Sequence, residues 1–315
     1  MKSCFKKEKK GEKKGKKRVI GKIQKLFGVK PSKPASNTNA KPPTYIFEEQ
    51  VTPQNTPQNS SSGENEKIPL VSKEGKKKAV LIGLNYPNSL YTLSGCVNDV
   101  KNGDAFLKAH GYDSRFLEDK DVSDKYDVLE ALEELKNSDS KVVFFHYSGH
   151  GTQVQDTGND EMDGKDEVVY SKNGHLITDD DINEKLAGFG EDKLVFLIFD
   201  CCHSGTMADL RYQAVSYEPY VREEKVKKEV RAKVICVSGC RDNQVSSDIT
   251  EKGTSYGALT KTLYDILRKN EETGRKIKWS ELYQELLIEM TKKHYSQIPQ
   301  MSASSPALFN EIVQF

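Results

Sequence analysis

The chain has 315 residues, of which 30% are charged and 36% hydrophobic, and its formal net charge is +1 at pH 7. This length is enough for one full core, while the mean hydropathy of −0.69 indicates that part of the chain stays unpacked. No apolar stretch approaches the roughly 18–20 residues of a membrane span, so the composition argues against a transmembrane protein.

Cysteine usage and the N-terminus predict an intracellular, cytoplasmic protein. The cysteines are Cys4, Cys96, Cys201, Cys202, Cys236 and Cys240, and they lack the paired CxxC spacing of zinc sites. Residues 1–18 carry ten Lys or Arg and two Glu, but no apolar segment of a signal peptide follows them. We therefore expect free thiols in a reducing compartment.

Residues 1–75 are rich first in Lys and then in Pro, Ser, Asn and Gln, and are too poor in apolar side chains to offset the entropy of ordering. We predict a disordered pro-segment at 1–75 and one folded domain at 76–315. The apolar island at 45–47 is interpreted as an incidental patch, with docking on the domain as the alternative. For the basic tip, solvated disorder is the default interpretation, against contact with anionic lipid, nucleic acid or acidic proteins, or acylation of Cys4.

Alternating strands and helices from residue 76 onward predict an α/β fold. Short apolar runs typical of strands covered on both faces lie at 79–83, 142–147, 194–199 and 234–237. Helical segments are predicted around 99–110, 125–136, 258–268 and 280–291. This alternation favours a mostly parallel sheet sandwiched by helices, with functional groups at the carboxyl ends of the strands.

Two loops with reactive side chains follow two of these strands, at 148–151 and 200–205. A thiol becomes a useful nucleophile when a nearby imidazole stabilises the thiolate and shuttles its proton. We predict Cys202 as the nucleophile and His150 as its general base, with the backbone N–H groups of Gly151 and Cys202 stabilising an oxyanion. This combination predicts acyl transfer.

The two adjacent cysteines cannot both face one cleft, because side chains alternate along extended backbone. We assign Cys202 to the chemistry and Cys201 to the core. Asp200 then shares a face with Cys202 and suits the binding of a basic substrate side chain. His203 is a competing base, but its position directly after Cys202 directs it away from the thiol.

These segments resemble the two catalytic motifs of the metacaspases, caspase relatives of plants, fungi and protists. The matching segments are His146-Tyr147-Ser148-Gly149-His150-Gly151 and Asp200-Cys201-Cys202-His203-Ser204-Gly205, with further matches at 93–99, 163–167, 177–180 and 238–242. The resemblance, which spans residues 77–315, implies the caspase-hemoglobinase fold: a mostly parallel sheet of six or more strands with helices on both faces. The Gln-Ala-Cys signature of true caspases is absent, and the resemblance implies cleavage of proteins after Arg or Lys instead of Asp.

The resemblance also implies a specificity pocket and a calcium requirement. The residues that match the pocket are Cys96, Asp99, Ser148 and Asp200, and their two carboxylates suit a guanidinium or ammonium group. The residues that match calcium-binding positions are Asp166, Asp179, Asp180 and Asp209, all hard oxygen ligands. The alternatives are a helix N-terminal charge for Asp99 and a solvated loop for the acidic cluster.

The resemblance further implies a monomer. Some metacaspases have a zinc-finger pro-segment, but residues 1–75 here contain Cys4 as the only cysteine and no His, so we expect no zinc finger in them. The basic run within 217–231 suggests a zymogen that cleaves itself, with a charged surface loop as the alternative. Two alternative functions are considered. The first is a non-catalytic scaffold or regulator of protein aggregates, and the second is an asparaginyl endopeptidase. The intact pair of His150 and Cys202 argues against the scaffold, and Asp99 and Asp200 argue against the asparaginyl enzyme.

Overall fold

A computed structural model of the chain describes residues 45–46, 76–155, 164–202, 207–215, 220–224, 226, 228–239, 248–251, 254–295 and 297–314. The predicted disorder of 1–75 therefore lies, apart from 45–46, outside the described residues. So do His203 and part of the basic run within 217–231.

The described residues form strands and helices that alternate along the domain. The strands are β1 (Tyr45–Ile46), β2 (Lys77–Gly83), β3 (Tyr112–Glu118), β4 (Val142–Ser148), β5 (Gly151–Gln155), β6 (Lys165–Tyr170), β7 (Leu176–Thr178), β8 (Leu194–Asp200), β9 (Tyr212–Ala214), β10 (Tyr220–Glu223), β11 (Lys233–Ser238), β12 (Asp248–Glu251), β13 (Thr254–Gly257) and β14 (Gln300–Ala303). The helices are α1 (Cys96–Ala109), α2 (Lys125–Asn137), α3 (Asp179–Ala187), α4 (Ala258–Glu272) and α5 (Trp279–Lys292), and a short 3₁₀ turn spans Pro306–Asn310.

The main sheet has the strand order β1-β10-β9-β14-β11-β8-β4-β2-β3. Its five longest strands, β3, β2, β4, β8 and β11, are parallel neighbours, while the shorter strands beyond β11 continue the sheet in antiparallel fashion. A three-stranded sheet of β5, β6 and β7 and a hairpin of β12 and β13 lie outside it. The predicted α/β fold with a mostly parallel sheet of six or more strands is confirmed.

Two hydrophobic cores lie on opposite faces of this sheet. One core joins α1, α4 and α5 to alternate strand residues such as Leu81 and Ile198, and the other joins α2 and α3 to their neighbours Ile82 and Phe199. Since successive strand residues point to opposite faces, strands covered on both sides need continuous apolar runs, which β2, β4, β8 and β11 have. The predicted helices on both faces are confirmed.

Helix α3 is an element that the sequence analysis did not predict. It begins directly after β7, where the Thr178 side chain accepts a hydrogen bond from the N–H of Asp181, and the Asp181 side chain accepts one from the N–H of Thr178. Aspartates in its first turn interact favourably with the positive end of the helix. The helix therefore places Asp179 and Asp180 at a fixed position beside β6.

The interpretation of the N-terminal island at 45–47 as an incidental patch differs from the structure at two of its residues. Tyr45–Ile46 forms β1, which pairs with Tyr220 and Val221 of β10 in antiparallel register. The alternative of docking on the domain describes these two residues better.

Candidate active site

The two predicted loops meet at the carboxyl edge of the sheet, where β4 and β8 end side by side. Ser148 pairs with Asp200 in the register of these strands, and the N–H of Gly149 donates to the Asp200 carbonyl at 3.3 Å. Gly151 lies so close to the second loop that an added Cβ would come within 3.0 Å of the Cys202 carbonyl oxygen. Glycine at 151 therefore allows the loops that carry His150 and Cys202 to touch.

The adjacent cysteines have different environments. Cys201 is fully buried in the core shared with α2 and α3, and its sulfur lies directly beneath Gly151. Cys202 is half-buried. The prediction that Cys201 packs in the core is confirmed, and Cys202 is the thiol with access to solvent.

The imidazole of His150 is held by the segment that follows β2. Its Nε2 lies 2.6 Å from the carbonyl oxygen of Tyr91. Because a carbonyl only accepts hydrogen bonds, Nε2 must carry a proton, so Nδ1 is the basic nitrogen of the neutral ring. This tautomer is the one that a general base acting through Nδ1 needs.

Two buried carboxylates converge behind the loops. Asp99 is fully buried, and its Oδ2 accepts a hydrogen bond from the hydroxyl of Ser148 at 2.7 Å. Its two oxygens accept the N–H of Gly257 at 2.9 and 3.1 Å. Asp200, which is 4% exposed, accepts the N–H of Thr260 at 2.9 Å. The start of α4 thus supplies N–H donors to both carboxylates.

The buried His146 connects this cluster to β4 without adding a charge. Its Nε2 lies 3.2 Å from the hydroxyl of Thr260, and its Nδ1 has no hydrogen-bond partner among the described residues. Burial lowers the pKa of His146 to about 3, so the ring is neutral near pH 7. His146 therefore adds no positive charge beside the two carboxylates.

A second acidic cluster lies where α3 begins. Ligand oxygens of Asp179, Asp180 and Asp209 all lie within 4.8 Å of one another. Asp166 is outside this group, in β6, where the N–H of the next residue, Glu167, donates to Asp179 at 2.7 Å. Three of the four predicted calcium positions are thus brought together, with the fourth on the adjoining strand.

Within this second cluster, the pKa of Asp179 is raised well above its usual range. Burial raises the pKa of Asp179 to about 10, and the negative charges of Asp209 and Glu167 add to the effect. Asp209 adopts φ of +47°, in the left-handed region that Asp and Asn tolerate better than other side chains. Hard carboxylate oxygens of this number and spacing fit calcium.

Sequence reasoning missed the groups that support the predicted side chains. Gly257 and Thr260 act through backbone N–H groups, which leave no signature in a sequence. Tyr86 and Tyr91 contact His150 from a loop 59 or more positions earlier in the chain. The only available signal was that this loop follows the carboxyl end of β2.

The chain is similar to known proteins in both sequence and structure. Residues 76–309 match the caspase domain family. The chain is 32% identical to Metacaspase-1 of Ajellomyces capsulatus, over 74% of this chain and 81% of the relative. It is also 32% identical to Metacaspase-1 of Cryptococcus neoformans, over 74% of this chain and 63% of that relative. A crystal structure of a Geobacter sulfurreducens protein superposes with a TM-score of 0.55 at 26% identity, covering 75% of this chain and 97% of the other.

The family match covers both helical layers, both loops of the site and the main sheet apart from β1. Among the described helices, none is both long and apolar enough to cross a membrane.

Because the caspase domain family matches most of the chain, and a metacaspase is 32% identical to it over 81% of that relative, the chain belongs to the metacaspases, cysteine peptidases of the caspase domain family.

Proposed function

We propose that this chain is an endopeptidase that cleaves proteins after Arg or Lys, with Cys202 as nucleophile and His150 as general base. The observation that carries the proposal is the convergence of Asp99 and Asp200 on Gly257, next to the strand ends that hold the dyad. Two buried carboxylates that lie this close together form a site that suits a guanidinium or ammonium group.

The chemistry follows from the orientation of the imidazole. Nδ1 of His150 takes the proton of the Cys202 thiol, and the thiolate attacks the carbonyl carbon of the scissile peptide bond. The N–H groups of Gly151 and Cys202 stabilise the oxyanion that forms. As the C–N bond breaks, the imidazolium gives its proton to the departing amine, leaving a thioester. Water, deprotonated by His150, then hydrolyses the thioester and restores the thiol.

The proposal is tested with matched fluorogenic peptides that differ only in the residue before the cleaved bond: Arg, Lys, Asp or Asn. Because placing a substrate carboxylate beside two carboxylates of the protein costs several kcal/mol in like-charge repulsion, we expect kcat/KM for Arg and Lys to exceed that for Asp by on the order of 100-fold or more. Preferred cleavage after Asp or Asn would contradict the specificity. Absence of hydrolysis of any peptide, with or without calcium, would favour the scaffold alternative.

We also propose that calcium binds at Asp179, Asp180 and Asp209, with Asp166 as a fourth contributor. When bound, the cation would supply positive charge to a crowded set of carboxylates. Asp209 lies seven positions after Cys202 in the chain. A cation that joins Asp209 to α3 would therefore link the chain shortly after the nucleophile to a helix of the fold, which supports a calcium-activated enzyme.

We expect Asp209→Asn to abolish calcium binding without unfolding the protein. Asn tolerates the left-handed φ of this position, and the change removes one charge beside Asp179. An acid whose pKa is raised in the folded state, as for Asp179, lowers the stability of the fold at every pH above the pKa that it has in the unfolded chain. Removing the neighbouring charge reduces this effect. Without calcium, the variant should therefore be at least as stable as the wild type. At a calcium concentration 100 times Kd, only the wild type should gain about 2.7 kcal/mol in free energy of unfolding.

The measurement is chemical denaturation with calcium and with chelator. Asp113→Asn serves as the control, because that side chain is 85% exposed and distant in sequence from the cluster. An undiminished calcium-dependent gain in Asp209→Asn would show that the cation binds elsewhere.

A further inference from the structure

Tyr86 contacts the proposed general base from the loop that follows β2. Its ring lies against the imidazole of His150 with centroids 4.7 Å apart and planes at 37°. Its hydroxyl accepts the N–H of His150 at 3.1 Å and lies 2.8 Å from the hydroxyl of Tyr147. The Tyr147 hydroxyl in turn lies 3.1 Å from the carbonyl oxygen of His150 and 2.7 Å from that of Tyr170, and can donate to either. Both the ring and the backbone of His150 are thus fixed by one side chain.

The backbone of Tyr86 is held in a conformation that tyrosine seldom adopts. Its φ is +52°, in the left-handed region that disfavours bulky side chains. The carboxylate of Asp119 accepts the N–H of Tyr86 at 2.7 Å and that of Asn85 at 3.0 Å. Strain that is maintained by such dedicated contacts is concentrated at functional sites.

The same loop also supplies the carbonyl that holds the other side of the imidazole. Tyr91 accepts from Nε2 of His150, and the loop is closed on itself by the N–H of Leu93, which donates to the Asn85 carbonyl at 2.8 Å. The hydroxyl of Thr92 donates to the Tyr86 carbonyl at 3.1 Å. The ring of Tyr86 and the carbonyl of Tyr91 therefore belong to one hydrogen-bonded loop.

We propose that Tyr86 is a positioning residue that fixes the imidazole of His150 and stabilises its protonated form through the aromatic face. A cation within about 6 Å of an aromatic centroid is attracted to the ring. The reactive state of a Cys/His pair is thiolate with imidazolium, so Tyr86 increases the population of that state. This inference rests on the proposed role of His150 as general base.

The titratable groups around His150 allow a clear readout. In the described part of the chain they are Tyr86, Tyr91, Tyr147, Cys96, Cys201 and Cys202, with Tyr170 beyond them and the Asp119 carboxylate at the base of the loop. Burial raises the pKa of the Tyr86 and Tyr147 phenols far above the usual value, so both stay neutral in the working range. A shifted pH profile would therefore report on the dyad itself.

The test compares Tyr86→Leu with Tyr86→Phe in the full chain. Loss of the ring should move the alkaline limb of the kcat/KM profile down by about one pH unit and lower kcat at least tenfold, with KM within twofold. Tyr86→Phe keeps the ring but loses the hydroxyl, so its limbs should match the wild type while kcat falls severalfold. Tyr126→Leu is the matched control, since that side chain is 68% exposed and lies in α2.

Alkylation of Cys202 by iodoacetamide, followed by mass spectrometry of its peptide, gives a readout independent of peptide hydrolysis. Near neutral pH, alkylation should slow at least threefold in Tyr86→Leu and stay near the wild-type rate in Tyr86→Phe. If Tyr86→Leu does not fold, Asp119→Asn, which loosens the Tyr86 backbone, must lower kcat with KM unchanged.

The inference would be overturned if folded Tyr86→Leu kept both the kcat/KM pH profile and the Cys202 alkylation rate of the wild type. A wild-type kcat in Asp119→Asn would overturn it as well. An inactive wild type, or activity that survives loss of Cys202, would instead contradict the proposed function, and the alkylation rates would still decide the role of Tyr86.

Discussion

Replacement of Cys202 with alanine is expected to abolish peptide hydrolysis, while replacement of its neighbour Cys201 is expected to leave it largely intact. Loss of the nucleophile in a covalent peptidase lowers kcat on the order of 10⁶-fold, below detection for most substrates. The Cys201 side chain is fully buried and packs beneath Gly151, so its truncation should cost about 1 kcal/mol of stability and less than tenfold in kcat/KM.

The comparison is made with an Arg peptide under identical conditions, together with thermal unfolding of both variants. Each change removes one sulfur atom from neighbouring positions, so each variant is the control for the other. If Cys201→Ala were inactive and Cys202→Ala active, the assignment of the nucleophile would be reversed. If both were inactive yet folded, the packing of Cys201 would have to position the loop as well.

The part of the fold that could be predicted from sequence is the part that is buried on two faces. Strands β2, β4, β8 and β11 lie inside the parallel region, and each is a continuous apolar run. Among the described strands, the edge strand β3 pairs with β2 alone, and it alternates buried and exposed residues in its first half, which gives a weaker signal. Strand β14 is polar at two of its four positions, although all four side chains are buried.

The short helix α3 escaped prediction for a related reason. Its nine residues include three aspartates in the first turn and few apolar positions, so its composition resembles an acidic loop. What makes it a helix is the reciprocal bonding of Thr178 and Asp181 and the burial of Ile182 and Leu186 against the core. Such tertiary support is absent from a local pattern.

The candidate site, like the fold, has one part that the sequence predicts and another that only the folded chain shows. His150 and Cys202 stand in motifs whose chemistry is readable, because thiol, imidazole and glycine follow directly after strands. The contacts that orient them depend on long-range packing: Gly257 reaches Asp99 across 158 positions, and Tyr86 reaches His150 across 64. Backbone donors and aromatic neighbours at such separations can be identified only from the folded chain.

Gly257→Ala is expected to lower kcat/KM for Arg and Lys peptides on the order of 100-fold. The backbone at 257, with φ of −70° and ψ of 137°, is one that alanine adopts without strain, so the reason is space. An added Cβ would lie within 3.0 Å of carboxylate oxygens of both Asp200 and Asp99. The backbone of Gly257 is held in place, because its N–H donates to both oxygens of Asp99. Displacing buried carboxylates from their donors costs several kcal/mol.

The change should raise KM for Arg and Lys peptides most, and should leave alkylation of Cys202 by iodoacetamide near the wild-type rate, because the dyad lies on other loops. Gly188→Ala is a control at another helix cap: Gly188 lies at the C-terminal end of α3, and its added Cβ would meet only the flexible Lys136 side chain and the Lys185 carbonyl at 3.2 Å or more. Wild-type kcat/KM in Gly257→Ala would show that Asp99 and Asp200 do not bind the substrate cation. Equal loss of alkylation and hydrolysis would assign Gly257 to the architecture of the whole site instead of its specificity.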